Sequence, residues 1–221
     1  MRCKGNDIPI DTAQFNVRAK RIRYLAAHFG RFLGGSVLDV GCDTCLLRDM
    51  LPPGSSYVGI DISGNPDIHL DLEKVKSLPF EDNAFDVVVC TDVLEHLDNL
   101  HSVFAELVRV SKRYLVISLP SNWSSARRPI ARGKGNIGHY GLPVEPPADR
   151  HKWFFNLSEA KAFLEGQAGM LSLSVIEMRI TEKPKPLVIR TILRLRAMSE
   201  ERYLNRYAHT LWAVLEKARK E

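Results

Sequence analysis

The chain has 221 residues, 45% hydrophobic and 26% charged, with a formal net charge of +5, which is room for one domain with a full α/β core and an ordinary globular composition. No apolar run reaches the length of a bilayer span, and the N-terminus, MRCKGNDIPID, lacks the apolar centre of a signal peptide. Four cysteines without a framework spacing argue against a disulfide scaffold and fit a reducing cytoplasm. The charge is unevenly spread. Residues 32–111 hold 14 acids against 4 bases, whereas residues 1–31, 112–152 and 182–221 are each basic. Basic flanks can steer an anionic substrate or nucleic acid, or they can be ordinary solvated surface.

From about Asp11 to Phe32 the pattern reads as a helix. Asp11 is a plausible cap, Phe15, Ile22, Leu25, Ala26 and Phe29 share a stripe, and Gly30, Gly34 and Gly35 end it. Arg18, Lys20, Arg21 and Arg23 lie mainly on the other face. The stretch Ser36–Leu47, SVLDVGCDTCLL, follows. Val37, Leu38 and Val40 make a buried strand, Gly41 breaks it, and Leu46, Leu47 and Met50 resume at helical spacing. Strand, tight turn and helix start is how a doubly wound fold builds a ligand crevice. A helix there would offer free N–H groups and a positive dipole end to an anion, and Asp39 at the strand tip suits an ammonium group.

Three readings of this stretch compete. The dinucleotide fingerprint G-x-G-x-x-G is matched poorly by Gly41, Cys42, Asp43, Thr44, Cys45 and Leu46. Cys42 and Cys45 form a C-x-x-C that suits redox chemistry, but no further ligands at zinc spacing appear, so no metal is expected. The third reading is the S-adenosylmethionine loop of class I methyltransferases, which this stretch resembles, and the segments that follow favour it. Tyr57–Asp61 is a second strand ending in an acid, and Asp61 lies 22 positions beyond Asp39, where an acid can take two ribose hydroxyls. Ile68–Leu72 is a third short strand carrying Asp71, and Phe85–Asp92 is a fourth, apolar as a strand buried on both faces should be.

The run DLEKVKSLPFEDNAFDVVVCTDVLEHL, from Asp71 to Leu97, closely resembles the central segment of the class I S-adenosylmethionine-dependent methyltransferases of the type 11, small-molecule family. Ser36–Leu47 is similar to that family's cofactor loop, and the resemblance covers roughly residues 36–120. It implies a doubly wound, mostly parallel seven-stranded sheet (the Rossmann-like methyltransferase fold) with an antiparallel last strand. It also implies S-adenosyl-L-methionine as cofactor, held by Asp39, Gly41, Cys42, Asp43, Asp61, Ile62, Asp71, Leu72, Thr91, Asp92 and Val93. The family usually has glycine at the positions of Asp43 and Cys45. Asp43 adds a carboxylate where the cofactor's own is expected, and both residues tolerate a positive φ less well than glycine.

Further along, Leu100–Val110 reads as a helix and Arg113–Pro120 as the fifth strand. Ser121–Asp149 is rich in Gly, Pro and Arg with little periodicity, a long insertion of the kind that is functional or disordered. His151, Trp153 and Phe155 resume order, and Ser158 looks like the cap of a helix over Glu159–Glu165. Leu171–Ile180 alternates as a strand, and Leu187–Met198 is a basic amphipathic helix expected to pack on the sheet in preference to an anionic membrane. Thr210–Leu215 reads as helix or strand on pattern alone, and the resemblance, with its final antiparallel strand, implies strand.

The chain is thus read as a single domain over 1–221, with an N-terminal helix (11–33), a cofactor-binding half (36–120), a substrate-side insertion (121–156) and a C-terminal half (157–221). Methyl transfer from a sulfonium needs orientation and exclusion of water, and a base only where the acceptor must lose a proton. His96, His139 and His151 are the candidate bases, and His139, Tyr140, His151 and Trp153 the candidate substrate contacts. The expected partner is a small molecule with an O, S or N nucleophile, on a sugar or a lipid-linked intermediate, of anionic character if the basic flanks act on it. Two alternatives stand beside it: an RNA or protein methyltransferase, disfavoured by the lack of an appended RNA-binding module or an N-P-P-Y-like motif, and a degenerate methyltransferase fold serving as scaffold.

Overall fold

The computed structural model describes residues 8–147 and 149–218. Eight strands, β1 (Ile10–Thr12), β2 (Ser36–Val40), β3 (Ser56–Asp61), β4 (Ile68–His69), β5 (Phe85–Thr91), β6 (Ser111–Pro120), β7 (Leu173–Glu182) and β8 (Ala208–Lys217), form one sheet in the order β1-β7-β8-β6-β5-β2-β3-β4. All pairings are parallel except those of β8, which runs antiparallel to both β6 and β7. This is the doubly wound arrangement with an antiparallel last strand that the sequence implied, with an eighth strand added at one edge.

That extra strand is β1. The expected helix from Asp11 does not begin there, because the Asp11 carboxylate is taken by Arg179 (2.8 and 3.1 Å) and by the Tyr24 hydroxyl (2.5 Å), and residues 10–12 pair with β7. The helix α1 runs from Arg18 to Phe29, after an extended Val17. Alternation along the strands sorts the core onto two faces. Val37, Val87, Val89, Val116, Trp212 and Val214 meet Ile22, Leu25 and Phe29 of α1 on one side. Leu38, Val40, Val88, Cys90, Leu115 and Ile117 meet the helices α2 (Leu100–Val110) and α4 (Leu157–Met170) on the other.

Several local expectations change. The helix foreseen after Gly41 is only a 3-10 turn over Arg48–Met50, because Asp43 and Cys45 adopt left-handed backbone (φ +52° and +56°) and Pro52, Pro53 and Gly54 close the segment. No helix dipole is therefore available at this loop. The insertion opens with a helix, α3 (Asn122–Arg132), stopped by Gly133 at φ +63°. The cap of α4 is Asn156, not Ser158; it accepts from Glu159 N while the Glu159 carboxylate accepts from Asn156 N, a full capping box. The basic helix α5 (Leu187–Ala197) forms, but it packs on α6 (Glu200–Tyr207) and leaves Leu187, Val188 and Leu195 exposed instead of covering the sheet. No helix among the described residues is long and apolar enough to cross a membrane.

Leu107 is fully buried between α2 and the sheet, so Leu107→Ala should lower the unfolding free energy by about 2–5 kcal/mol in a urea titration. A loss below about 1 kcal/mol would show that this layer does not pack as described.

Candidate active site

The carboxyl ends of β2, β3 and β5 meet around Gly41. Its φ is +79°, and a Cβ there would collide with Val93 Cγ2, so only glycine lets the loop pass under Val93. Gly41 N and Cys42 N both donate to Ile60 O, at 2.8 and 3.3 Å, which ties the loop to β3. The Asp61 carboxylate then accepts from Asp43 N at 2.8 Å and from Ser63 N at 3.0 Å. Asp43 O in turn accepts from Asn65 N, and Gly64 must be a glycine because a Cβ would strike Asp43 O. Asp43 and Cys45 thus hold the conformations that glycine would take; the interlocked turn offsets a left-handed cost of about 1–2 kcal/mol per ordinary residue, less for Asp.

Asp39 is 2% exposed at the tip of the central strand, with the Tyr57 hydroxyl donating to it at 2.8 Å. Burial raises its pKa to about 6, against the opposing pull of Tyr57 and Arg18. Two arginines of α1 lie over this end of the sheet. Arg18 donates to Gly41 O at 2.8 Å and stands 3.4 Å from the Asp43 carboxylate, while Arg21 reaches Asp92 at 2.7 Å. Asp92 also accepts from Ser118 Oγ at 2.5 Å and has φ +51°. The sequence placed both arginines on the solvent face of a helix. Their i, i+3 spacing at its first turn was the available signal, and only the fold shows what lies beneath them.

Other foreseen residues sit apart. Asp71 closes on its own turn, accepting from Glu73 N at 3.0 Å and pairing with Lys74 at 2.9 Å, which holds its carboxyl below the usual range. Among the described residues no hydrogen bond or ion pair joins its side chain to the Gly41 loop. Leu72 is buried in the core beside α2, Ile62 is 65% exposed, and Thr91 pairs with Ser118 along the sheet. Cys42 and Cys45 lie 3.4 Å apart in the core against Gly59, and burial pushes the Cys42 thiol well up. A buried pair held as thiols is a packing element, and a poor dithiol catalyst.

The histidines come together on the far side of Val93. His139 and His151 stack with ring centroids 4.5 Å apart, and His96 meets His151 edge-on at 4.5 Å. Tyr140 joins them, packing edge-on to His151 and donating to Trp153 O. The Trp153 indole donates to Leu97 O at 2.7 Å. Burial and the neighbouring imidazoles lower the His151 pKa to about 4, so it is neutral at physiological pH. Asn122, Asp149 and Glu95 belong to this cluster and were not singled out from the sequence. Asn122 Nδ2 lies 3.0 Å from His151 Nδ1, Asp149 approaches both His96 and His139, and Glu95 is 1% exposed. Beside the cluster an apolar cavity of about 240 Å³ is lined by Leu119, Trp153, Phe154, Phe155 and Phe163, among others.

With this geometry in place, comparison with known proteins is informative. Residues 38–116 match the sequence profile of the family described as a methyltransferase domain. The matched segment, from β2 into β6, is similar to that methyltransferase domain and carries the Gly41 loop. The ubiquinone biosynthesis O-methyltransferase of Pasteurella multocida is 29% identical, the match covering 38% of this chain and 45% of that protein. The protein of that name from Paracidovorax citrulli is 35% identical over 36% of this chain and 40% of its own length. The chain therefore spans less than half the length of these curated relatives. Magnesium protoporphyrin IX methyltransferase from Synechocystis PCC 6803, solved with bound SAH, superposes with a TM-score of 0.53 at 15% identity, covering 94% of this chain and 90% of that one. The small RNA methyltransferase HEN1 superposes with a TM-score of 0.59 at 18% identity, over 98% of this chain and 27% of that one. At such identities the two structures establish a shared fold.

The site at the tip of β2 carries its own stability cost. Because Asp39 has a folded-state pKa raised above its unfolded value of 3.8, its contribution is fully present below pH 4 and is lost as pH rises through about 6. Asp39→Asn should therefore raise stability at pH 7 by on the order of 2–3 kcal/mol, from a shift of about two pH units at 1.36 kcal/mol each. The same variant should lose affinity for any ligand whose ammonium group the carboxylate holds. Chemical unfolding at pH 4 and pH 7 checks this, and equal stability of wild type and variant at pH 7 contradicts it.

Proposed function

We propose that this protein transfers the methyl group of S-adenosylmethionine to a small-molecule acceptor. The observation that carries the reading is the convergence of Asp39, Gly41 and Asp61 on one loop beneath Arg18. In this reading Asp39 takes the cofactor's ammonium group, the backbone passing under Val93 leaves space for its sulfonium end, and Asp61 takes ribose hydroxyls. Each Asp61 oxygen bonded to a loop N–H keeps a second lone pair for that purpose. Arg18 stands ready for the cofactor carboxylate once it releases Asp43. Asp92, Val93 and Arg21 close the far wall, and Asp71 would need to leave Lys74 to reach an adenine amino group.

The reaction is an in-line displacement. An acceptor O, S or N lone pair forms a bond to the methyl carbon while the carbon–sulfur bond breaks, and its electron pair remains on sulfur. Positioning and exclusion of water supply most of the acceleration. His151, neutral at pH 7, and the imidazoles stacked around it provide proton acceptors for a hydroxyl nucleophile. The aromatic-walled cavity beside Trp153 favours an acceptor with an apolar portion, such as a lipid-linked or aromatic hydroxyl, over a bare sugar. The names of the curated relatives point to the same class. The basic flanks suit an acceptor that also carries negative charge, and the cytoplasm is the proposed location.

Calorimetric titration with S-adenosylhomocysteine tests the reading. Wild type should bind one equivalent, and Asp61→Ala should bind at least about tenfold more weakly, the worth of charge-assisted hydrogen bonds. Arg18→Ala should weaken binding through the lost carboxylate contact while leaving the unfolding free energy within about 1 kcal/mol, since Arg18 is substantially exposed. No heat and no competition at roughly millimolar ligand would overturn the assignment.

A further inference from the structure

The side chains beyond β5 converge more tightly than methyl transfer from a sulfonium requires. Glu95, His96 and His151 each offer a ligand atom within 4.8 Å of those of the other two. The Glu95 carboxylate is 1% exposed, its Oε2 has no hydrogen-bond partner among the described residues, and its Oε1 lies 3.8 Å from His96 Nε2. Burying a carboxylate without compensation is strongly unfavourable. Both imidazoles are oriented from behind. Asp149 Oδ1 stands 2.6 Å from His96 Nδ1, which turns Nε2 toward Glu95. His151 Nδ1 faces Asn122 Nδ2 at 3.0 Å and Tyr140 Oη at 3.3 Å, which leaves Nε2 for the centre of the cluster. Asn122 is itself fixed, its Oδ1 accepting from Phe155 N at 3.1 Å. An acceptor behind the ring nitrogen, as Asp149 is for His96, is what metal-binding histidines have.

We propose that Glu95, His96 and His151 bind one divalent first-row transition ion such as Mn²⁺, Co²⁺ or Zn²⁺. Two imidazoles and one carboxylate are a donor set for such ions, and are softer than the all-oxygen shells of Ca²⁺. Binding places the His151 proton on Nδ1, with Tyr140 Oη as its acceptor, and breaks the contact with Asn122 Nδ2, which can only donate. Three protein ligands leave coordination positions open. The segment 92–96 carries both Asp92 of the cofactor wall and the Glu95–His96 pair, so the open positions lie beside the proposed methyl donor. There the ion takes the acceptor's oxygen and lowers its pKa. With the His96 and His151 nitrogens taken up by the ion and no longer acting as bases, the hydroxyl proton passes to water, the oxygen lone pair bonds to the methyl carbon, and the carbon–sulfur pair stays on sulfur as S-adenosylhomocysteine leaves. This role rests on the methyl-transfer reading; occupation of the site does not.

The test uses the full chain without a histidine tag, stripped by chelator and titrated with Mn²⁺, the free ion being followed by electron paramagnetic resonance. One ion per chain is expected, with pulsed spectra showing coupling to imidazole nitrogen in wild type. His96→Ala and His151→Ala should each weaken binding at least about ten- to a hundredfold, with S-adenosylhomocysteine affinity held within about twofold. An unbound ion, a bound ion without nitrogen coupling, or equal binding by both variants overturns the site. The wild-type spectrum decides even where a variant does not fold. Loss of S-adenosylhomocysteine binding by wild type with the ion still bound would instead remove the methyl-transfer reading and leave the metal site standing.

Discussion

An ionisable carboxylate held almost out of water at the tip of the central strand is the constraint around which the site is arranged. Asp39 is 2% exposed with one neutral donor, the Tyr57 hydroxyl, on it. A carboxylate this far out of water is costly unless it is compensated. In the proposed reading Asp39 is half of an ion pair whose other half is the ligand's ammonium, because a desolvated carboxylate interacts with an incoming ammonium far more strongly than a wet one does. The rest of the loop serves that position. Gly41 takes the chain under Val93, Ile60 O and the Asp61 carboxylate gather the loop N–H groups, and Arg18 holds the turn from above.

The same logic explains how the loop manages without the usual glycines and without a helix behind it. Asp43 and Cys45 keep left-handed backbone, and each is fixed on two sides. Asp43 bonds to Asp61 and Asn65, whereas Cys45 packs on Cys42 and donates its thiol to Asn65 O at 3.4 Å. A turn so tied does not need a helix dipole for an anion, since Arg18 supplies a full positive charge at the same place. What a glycine-rich loop achieves through freedom, this one achieves through mutual restraint.

The sheet was legible because its strands are pure alternations or pure apolar runs bounded by acids or glycines. Phe85–Thr91 and Leu100–Val110 follow directly from pattern. Asp39, Gly41 and Asp61 were readable from spacing, since parallel strands bring their carboxyl ends together whatever the loops do. The failures have physical causes. Asp11 looks like a cap in sequence, but its partners, Arg179 and Tyr24, lie far along the chain or across the layer. The helix after Gly41 failed because two positive φ angles and a Pro-Pro-Gly stop leave too few residues for one, and a short apolar run cannot announce its own dihedrals. Glu95 was hidden inside a common motif, where only its burial and the arrival of His151 from a distant loop mark it out. The exposed face of α5 contradicts a pattern that ordinarily means packing: α5 packs on α6 and meets the sheet through Arg190, which pairs with Glu182 of β7 at 2.6 Å.

A crystal structure of the chain with S-adenosylhomocysteine measures the central claim most directly. The ligand's amino group should lie within hydrogen-bond distance of Asp39, and its ribose hydroxyls within reach of Asp61, with Gly41 beneath the sulfur. A ligand seated elsewhere, with Asp39 still sealed against Tyr57 and no ammonium beside it, would contradict the account.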